Sequence, residues 1–258
     1  MRLMKRILSA AAVLALSASL LVGCSSGTAS SVPVSASSAA ESTVSSVEET
    51  ASSAVDENEA AAAQLLNDLT GSYQELWPVI LADEYKQTWL DDCTALVGEE
   101  NAQVAFEKLS SMVTGDVYGE DAVEAYANGG GAYFCGFTND LATLTFDGET
   151  STISGTDKDG NVLFSHTYHY IGMEPVHGLY EFESDDADSG EFTYFFLAPD
   201  TSAETYHIEF RYGSDAEALS QYDAGEYAYW VASGISTDCD QTMIDNCIEL
   251  FCTENLAG

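Results

Sequence analysis

Basic residues are scarce in this sequence: the 258-residue chain has 7 Lys and Arg against 43 Asp and Glu. Three of the seven, Arg2, Lys5 and Arg6, lie in the first six positions. Nucleic-acid binding and polybasic membrane binding both need clusters of Lys and Arg to neutralise phosphates. We therefore expect no nucleic-acid partner and no electrostatic attachment to a membrane surface.

The predicted folded domain, 58–258, also lacks the motifs of common enzymes. It contains no Gly-x-Ser-x-Gly, no His-Glu-x-x-His and no phosphate-binding loop. Pairs of carboxylates do not indicate a catalytic site in so acidic a chain, because many acidic residues lie close together by chance. We predict a binding protein that is not an enzyme.

The N-terminus is typical of a lipoprotein signal peptide. An apolar run without acidic residues follows the three basic residues and ends in Leu-Val-Gly before Cys24. We predict a signal peptide over 1–23, lipidation of Cys24 and an extracytoplasmic protein anchored to the cell membrane by its lipid alone. The mature chain would keep 4 basic residues against 43 acidic ones, a formal charge of −39. Segment 24–57 is rich in Ser and Ala and has no aromatic residue, which predicts a disordered linker.

Five cysteines follow Cys24, and none forms a Cys-x-x-Cys zinc motif. An exported protein favours disulfides, but the odd number leaves at least one thiol free or paired between molecules. The pairing stays open from the sequence. The five are Cys93, Cys135, Cys239, Cys247 and Cys252.

Hydrophobic periodicity predicts an α+β domain. Helical patterns cover 59–69, 99–112 and the region around 243–251. From about 132 to 213 the period is two, with Asp-Gly turns at 147–148 and 159–160. This order predicts helices, then an antiparallel meander that closes as a barrel or packs as a sandwich, then helices.

Several short motifs resemble ZinT-type zinc-binding domains, in the order and approximate spacing of that family over about 69–256. They are Leu69–Tyr73 with Trp77-Pro78, Leu144–Gly148, Tyr168–Gly172, Gly178–Glu183, Ala198-Pro199 and Tyr206–Asp215. The resemblance implies a calycin-like, lipocalin-related antiparallel β-barrel with flanking N- and C-terminal helices. It also implies extracytoplasmic handling of zinc, with components of a metal-uptake transporter as possible partners.

The family's ligand set is incomplete in this chain. The family binds zinc through three histidines, whose positions correspond here to Phe195, Thr205 and His207. Phenylalanine offers no lone pair, and a threonine hydroxyl is a weak donor. Zinc needs three or four N, S or O ligands, so His207 alone does not make a site.

Carboxylates could complete a weaker site. On a strand, Thr205, His207, Glu209 and Arg211 would share one face, so Glu209 could bind metal or be neutralised by Arg211. Glu204 is a second candidate. A site of His207, Glu209 and Glu204 would be rich in oxygen and would shift preference from zinc toward Mn²⁺, Mg²⁺ or Ca²⁺.

The other histidines and the acidic segment 185–191 are weaker candidates for metal ligands. His166 and His169 are three apart and should point to opposite faces of a strand, whereas His177 lies in a loop. The segment 185–191 lacks the ligand register of a calcium loop and is expected to connect two strands. Three functions stay open: weak binding or buffering of divalent metal, a metal-free barrel that binds a small ligand, and a surface interaction protein.

Overall fold

The computed structural model describes residues 57–257. The predicted signal peptide, the lipidation of Cys24 and almost all of the predicted linker lie outside the described residues. Within that range, the helices are α1 (57–68), α2 (Leu76–Ile80), α3 (Lys86–Val97), α4 (Glu99–Ser111), α5 (Glu120–Ala127), α6 (Ser202–Thr205), α7 (Ala216–Leu219) and α8 (Gln241–Leu256). None of these helices is long and apolar enough to cross a membrane.

Eight strands form a closed antiparallel barrel in which each strand pairs with its neighbours in sequence and the first pairs with the last. They are β1 (Gly71–Glu75), β2 (Thr143–Asp147), β3 (Thr152–Thr156), β4 (Val162–Met173), β5 (Tyr180–Ser184), β6 (Tyr194–Leu197), β7 (Ile208–Gly213) and β8 (Ala232–Ser236). The predicted calycin-like α+β barrel with flanking helices is confirmed, and the sandwich alternative is wrong.

The turns follow the local chemistry of the sequence. Between β3 and β4, the Asp157 carboxylate accepts the backbone N–H groups of Asp159 and Asn161 at 2.8 and 2.9 Å. Gly160 has φ +80°, a left-handed conformation that costs glycine little. The acidic segment 185–191 connects β5 to β6, as predicted.

Barrel closure differs from the sequence expectation. The sequence predicts the sheet over about 132–213, with only helices before it. Instead, Gly71–Glu75 is a strand whose residue Tyr73 pairs with Ser236 of β8. Both closing strands lie outside the predicted window. They are short and rich in small or polar residues, so they give almost no alternating apolar signal.

Aromatic rings fill the barrel interior. Phe164 and Tyr168 of β4 contact Phe195 of β6, with ring centroids 5.9 and 5.4 Å apart, although β5 lies between these strands. Contacts that skip a strand form on the concave side of a curved sheet. Phe195 also stacks against Phe210 and Tyr212 of β7. Each fully buried ring of this kind stabilises the fold by about 1.5–3 kcal/mol.

The helices α3, α4 and α8 pack together as a layer, and α8 contacts the residue before β7 through Cys247 and His207. Trp89 of α3 is fully buried, and its indole N–H donates to the carbonyl of Ile80 at 2.7 Å. Its ring lies 5.8 Å from that of Phe251 on α8, and Trp77 lies 4.9 Å from the same ring. These edge-to-face contacts fix α8 to the first half of the domain.

Candidate functional site

His207 lies directly before β7, between the one-turn helix α6 and the strand. Tyr206 links the two in a left-handed conformation, with φ +65°. The expectation that Thr205 continues the strand is therefore wrong, because Thr205 is the last residue of α6. Its hydroxyl donates to the carbonyl oxygens of Thr201 and His207, each 3.0 Å away.

The His207 imidazole is almost completely buried, with 1% of its surface exposed. Its Nδ1 donates to the carbonyl of Thr205 at 2.6 Å. Its Nε2 lies 3.8 Å from Oε1 of Glu209, which is also buried, and the Sγ atom of Cys247 on α8 lies 4.0 Å from Nδ1. The predicted placement of His207 beside Glu209 is confirmed, whereas the contact with Cys247 had no local signal in the sequence.

The surroundings favour the charged imidazole. Burial lowers the pKa of His207, but the contacts with Cys247 and Glu209 outweigh it and raise the pKa to about 9. The His207 imidazole therefore keeps its proton at neutral pH, 3.8 Å from the buried carboxyl group of Glu209. A metal ion would have to displace the proton from this imidazole before binding to it.

Glu204 and Phe195 lie elsewhere. Glu204 is exposed, and its carboxylate closes a capping box with Thr201 at the N-terminus of α6. Phe195 is fully buried in the barrel interior, as described above. Among residues 57–257, no group of three His, Cys, Asp or Glu side chains could hold a metal ion. The predicted trio of His207, Glu209 and Glu204 is thus not brought together, and the residues present do not fit a zinc centre.

Arg211 is the other buried charge on this face of β7. Its guanidinium donates to the carbonyls of Leu219, Gln221 and Tyr227, all in the segment that joins β7 to β8. It also lies over the ring of Tyr222, 4.2 Å from the centroid. The sequence offered Arg211 only as an ion-pair partner for Glu209, and these carbonyls show a further role in holding the connecting segment.

Sequence patterns gave no indication of a further buried carboxyl group, Glu174. Its carboxylate accepts the backbone N–H groups of Val176 and His177 and lies 3.3 Å from the His177 Nδ1 atom. Burial raises the pKa of Glu174, but these hydrogen bonds outweigh it and lower the pKa below its usual range. The His177 ring packs 3.8 Å from that of Tyr222, which joins this pair to Arg211.

The two histidines of β4 also contact carboxylates, although His166 is largely buried and His169 is half-exposed. His166 Nδ1 is 2.7 Å from Asp186, and His169 Nδ1 is 2.8 Å from Asp185. The expected separation of the two is consistent with their surroundings, since the His166 ring lies near Phe164 whereas His169 is half-exposed beside Glu183.

A cavity of about 350 Å³ lies at the end of β1, and all of its lining except Glu75 comes from outside the barrel strands. Trp77 and Leu81 form one wall, and Phe134 and Cys135 form another. Glu75 accepts the backbone N–H of Phe137 at 2.6 Å. Because aromatic rings occupy the barrel interior, the structure gives no support to a small ligand held inside the barrel.

Comparison with known proteins gives limited similarity. No protein-family profile matches the chain, and no curated protein matches it. Among solved structures, it is similar to the Zn(II)-bound ZinT-like domain of Streptococcus pneumoniae AdcA, with 16% identity over 71% of this chain and 89% of that domain and a TM-score of 0.45. It is also similar to Zn(II)-bound AdcA from the same organism, with 15% identity over 72% of this chain and 35% of that one and a TM-score of 0.42. The first of these structures carries the family name that the sequence motifs suggested.

Proposed function

We propose that this chain is an extracytoplasmic barrel protein, lipid-anchored at Cys24, that binds divalent metal ions weakly and is not an enzyme. The observation that carries the proposal is the His207–Glu209 pair. It retains one imidazole at the position of a family ligand, with a carboxylate 3.8 Å away. Two potential ligands give a cation a point of contact but do not complete a zinc coordination sphere.

The same geometry explains why binding is weak. The pKa of His207 is about 9, so at pH 7 an incoming metal ion competes with a proton for Nε2. It must also reach a pair that α8 covers at Cys247. Each missing ligand lowers affinity by roughly tenfold, about 1.4 kcal/mol, which places zinc affinity in the micromolar range or poorer.

The acidic surface adds a diffuse contribution. A charge of −39 on the mature chain concentrates divalent cations near the protein without fixing any of them in a defined position. Salt screens this attraction, because the Debye length is only about 8 Å at physiological ionic strength. Binding that depends on a particular side chain persists in salt, whereas diffuse binding fades.

Calorimetric titration with zinc at physiological and at low salt tests the proposal. We expect weak heats with two parts. One part falls with added salt, and the other persists in salt and is lost in His207→Ala. His169→Ala is the matched control, because it removes an imidazole that also faces carboxylates but lies at the surface. A tight one-to-one isotherm that survives in salt and in the control but disappears in His207→Ala would show a true zinc centre and overturn the proposal of weak binding.

A further inference from the structure

Two cysteines from distant parts of the chain meet in the helical layer. Cys93 lies in the second half of α3 and Cys252 near the end of α8, and their Sγ atoms are 3.9 Å apart. Both residues are fully buried. The sequence alone left the pairing of these cysteines open.

The surrounding rings fix the two helices at this point. Trp89 lies one helical turn before Cys93, Phe251 lies directly before Cys252, and these two rings pack edge to face. A disulfide needs its sulfur atoms about 2.05 Å apart. Small rotations of both side chains can close the remaining distance, because the sulfurs already face each other.

The other three cysteines have different neighbours. Cys247 lies beside the His207 imidazole, and Cys135 Sγ lies 3.7 Å from the carbonyl of Tyr133. Cys239 is partly exposed. Among the five cysteines in the described part of the chain, the sulfur atoms in contact with each other are therefore those of Cys93 and Cys252.

We propose that Cys93 and Cys252 form a disulfide when the chain folds in the presence of an oxidised dithiol or another small disulfide. One cysteine thiolate attacks a sulfur of the oxidant and releases one of its thiols. The other cysteine thiolate then attacks the resulting mixed disulfide and releases the second thiol. Overall, the two cysteines lose two electrons and two protons, and the oxidant's disulfide is reduced to two thiols.

Burial sets the timing of this reaction. It raises the pKa of both thiols in the folded protein, so few thiolates are present once the helical layer has assembled. The bond therefore forms while α8 is still docking, and afterwards the same burial shields it from reductants. An exported chain meets the oxidising conditions that this requires. The inference does not depend on metal binding.

The bond would link α8 to α3 covalently and would close a loop that contains most of the domain's sequence. Cys247 lies on the same helix and covers the His207 imidazole, so the tether also holds the cover of the His207–Glu209 pair in place. A crosslink that closes a loop of this length stabilises mainly by restricting the unfolded chain. Reduction should lower the Tm by about 10 °C for a domain of this size.

The test uses the full chain with Cys24→Ser, which leaves the five cysteines of the described region. The protein is refolded in a mixture of reduced and oxidised glutathione, alkylated under denaturing conditions, digested and analysed by mass spectrometry. We expect a crosslinked peptide pair that contains Cys93 and Cys252. When the protein is instead unfolded and refolded in dithiothreitol, its Tm should be about 10 °C lower than that of the oxidised protein. Cys239→Ala is the matched control and should retain both results.

The double variant Cys93→Ala/Cys252→Ala should give a Tm that dithiothreitol does not change. Recovery of Cys93 and Cys252 in alkylated form after oxidative refolding, or linkage of either to another cysteine, would overturn the proposal. Because peptide mapping needs only the chain with all five cysteines, it decides the matter even if the double variant fails to fold.

Discussion

On β7, Phe210 and Tyr212 point into the barrel among aromatic rings, whereas Glu209 and Arg211 point outward beneath helices and loops. Both faces are buried, so burial alone does not distinguish them. The inner face contains rings and one bonded hydroxyl group, and the outer face contains charges. In this protein the polar chemistry lies between the barrel and its outer layer, not inside the barrel.

This difference has an energetic consequence. Apolar contacts on the inner face depend on shape and area and are insensitive to pH. On the outer face, charges are stable only while their partners stay in place, since an unpaired buried charge is costly. Three substitutions separate the two faces by the size of their effects and by their pH dependence.

Arg211→Ala should have the largest effect. It removes the donor to three carbonyls and the contact with Tyr222, and it leaves the carbonyls of Leu219 and Tyr227 buried without this donor. We expect the free energy of unfolding to fall by about 4 kcal/mol, measured by urea denaturation. Arg211→Lys is the control, and its loss of free energy of unfolding should lie between zero and that of Arg211→Ala. An ammonium keeps the charge but cannot donate to all the carbonyls that a planar guanidinium reaches. A loss below about 1 kcal/mol in Arg211→Ala would mean that the outer charge is dispensable.

His207→Gln should show the pH dependence of the outer face. The folded-state pKa of His207, about 9, lies above its ordinary value of 6.5. The protonated imidazole therefore stabilises the fold fully below about pH 6.5, and this contribution is lost as pH rises through 9. Relative to His207→Gln, the wild type should be more stable at pH 6 than at pH 10 by up to about 3 kcal/mol, measured by urea denaturation at each pH.

The inner-face control for this prediction is Phe195→Leu, whose difference from the wild type should stay constant over the same pH range. A His207→Gln difference that is equally flat would show that the pair with Glu209 contributes no charge-dependent stability.

Tyr212→Phe should have the smallest effect. The Tyr212 hydroxyl accepts the backbone N–H of Thr138 at 2.6 Å and donates to the Thr138 carbonyl at 2.9 Å. The substitution keeps the ring and leaves these two backbone groups without this partner, which should cost about 1–2 kcal/mol. Thermal unfolding at pH 6 and pH 8 should give the same loss. A loss of stability that changes with pH would contradict the view that the inner face of β7 is insensitive to pH.

Sequence patterns predicted the part of the fold that local residues determine. Strands such as β2, with Leu144 and Phe146 buried on one side, alternate clearly and were found. The closing strands were not, because β1 has one buried residue, Tyr73, and β8 is built largely of small residues. The two strands form by pairing with each other, and neither segment has an alternating apolar pattern that would predict a strand.

The contacts of the candidate site also separate into those that the local sequence predicts and those that depend on the fold. His207 and Glu209 are two residues apart, so their spacing in the sequence already predicted that they lie close together, although His207 lies just before the strand. Cys247 belongs to the last helix, and the partners of Arg211 are backbone carbonyls, which leave no trace in side-chain patterns. Glu174 was missed because its bonds are to backbone N–H groups of its own loop.

The pairing of β1 with β8 also determines when the domain can begin to resist unfolding. The first strand has no second partner until almost the entire chain is present, so the barrel stays open through most of synthesis. Pairings between such distant segments also slow folding, because the long intervening chain must first be ordered. If the protein is exported as proposed above, we expect this delay to leave the polypeptide unfolded for longer, as threading through a translocation pore requires.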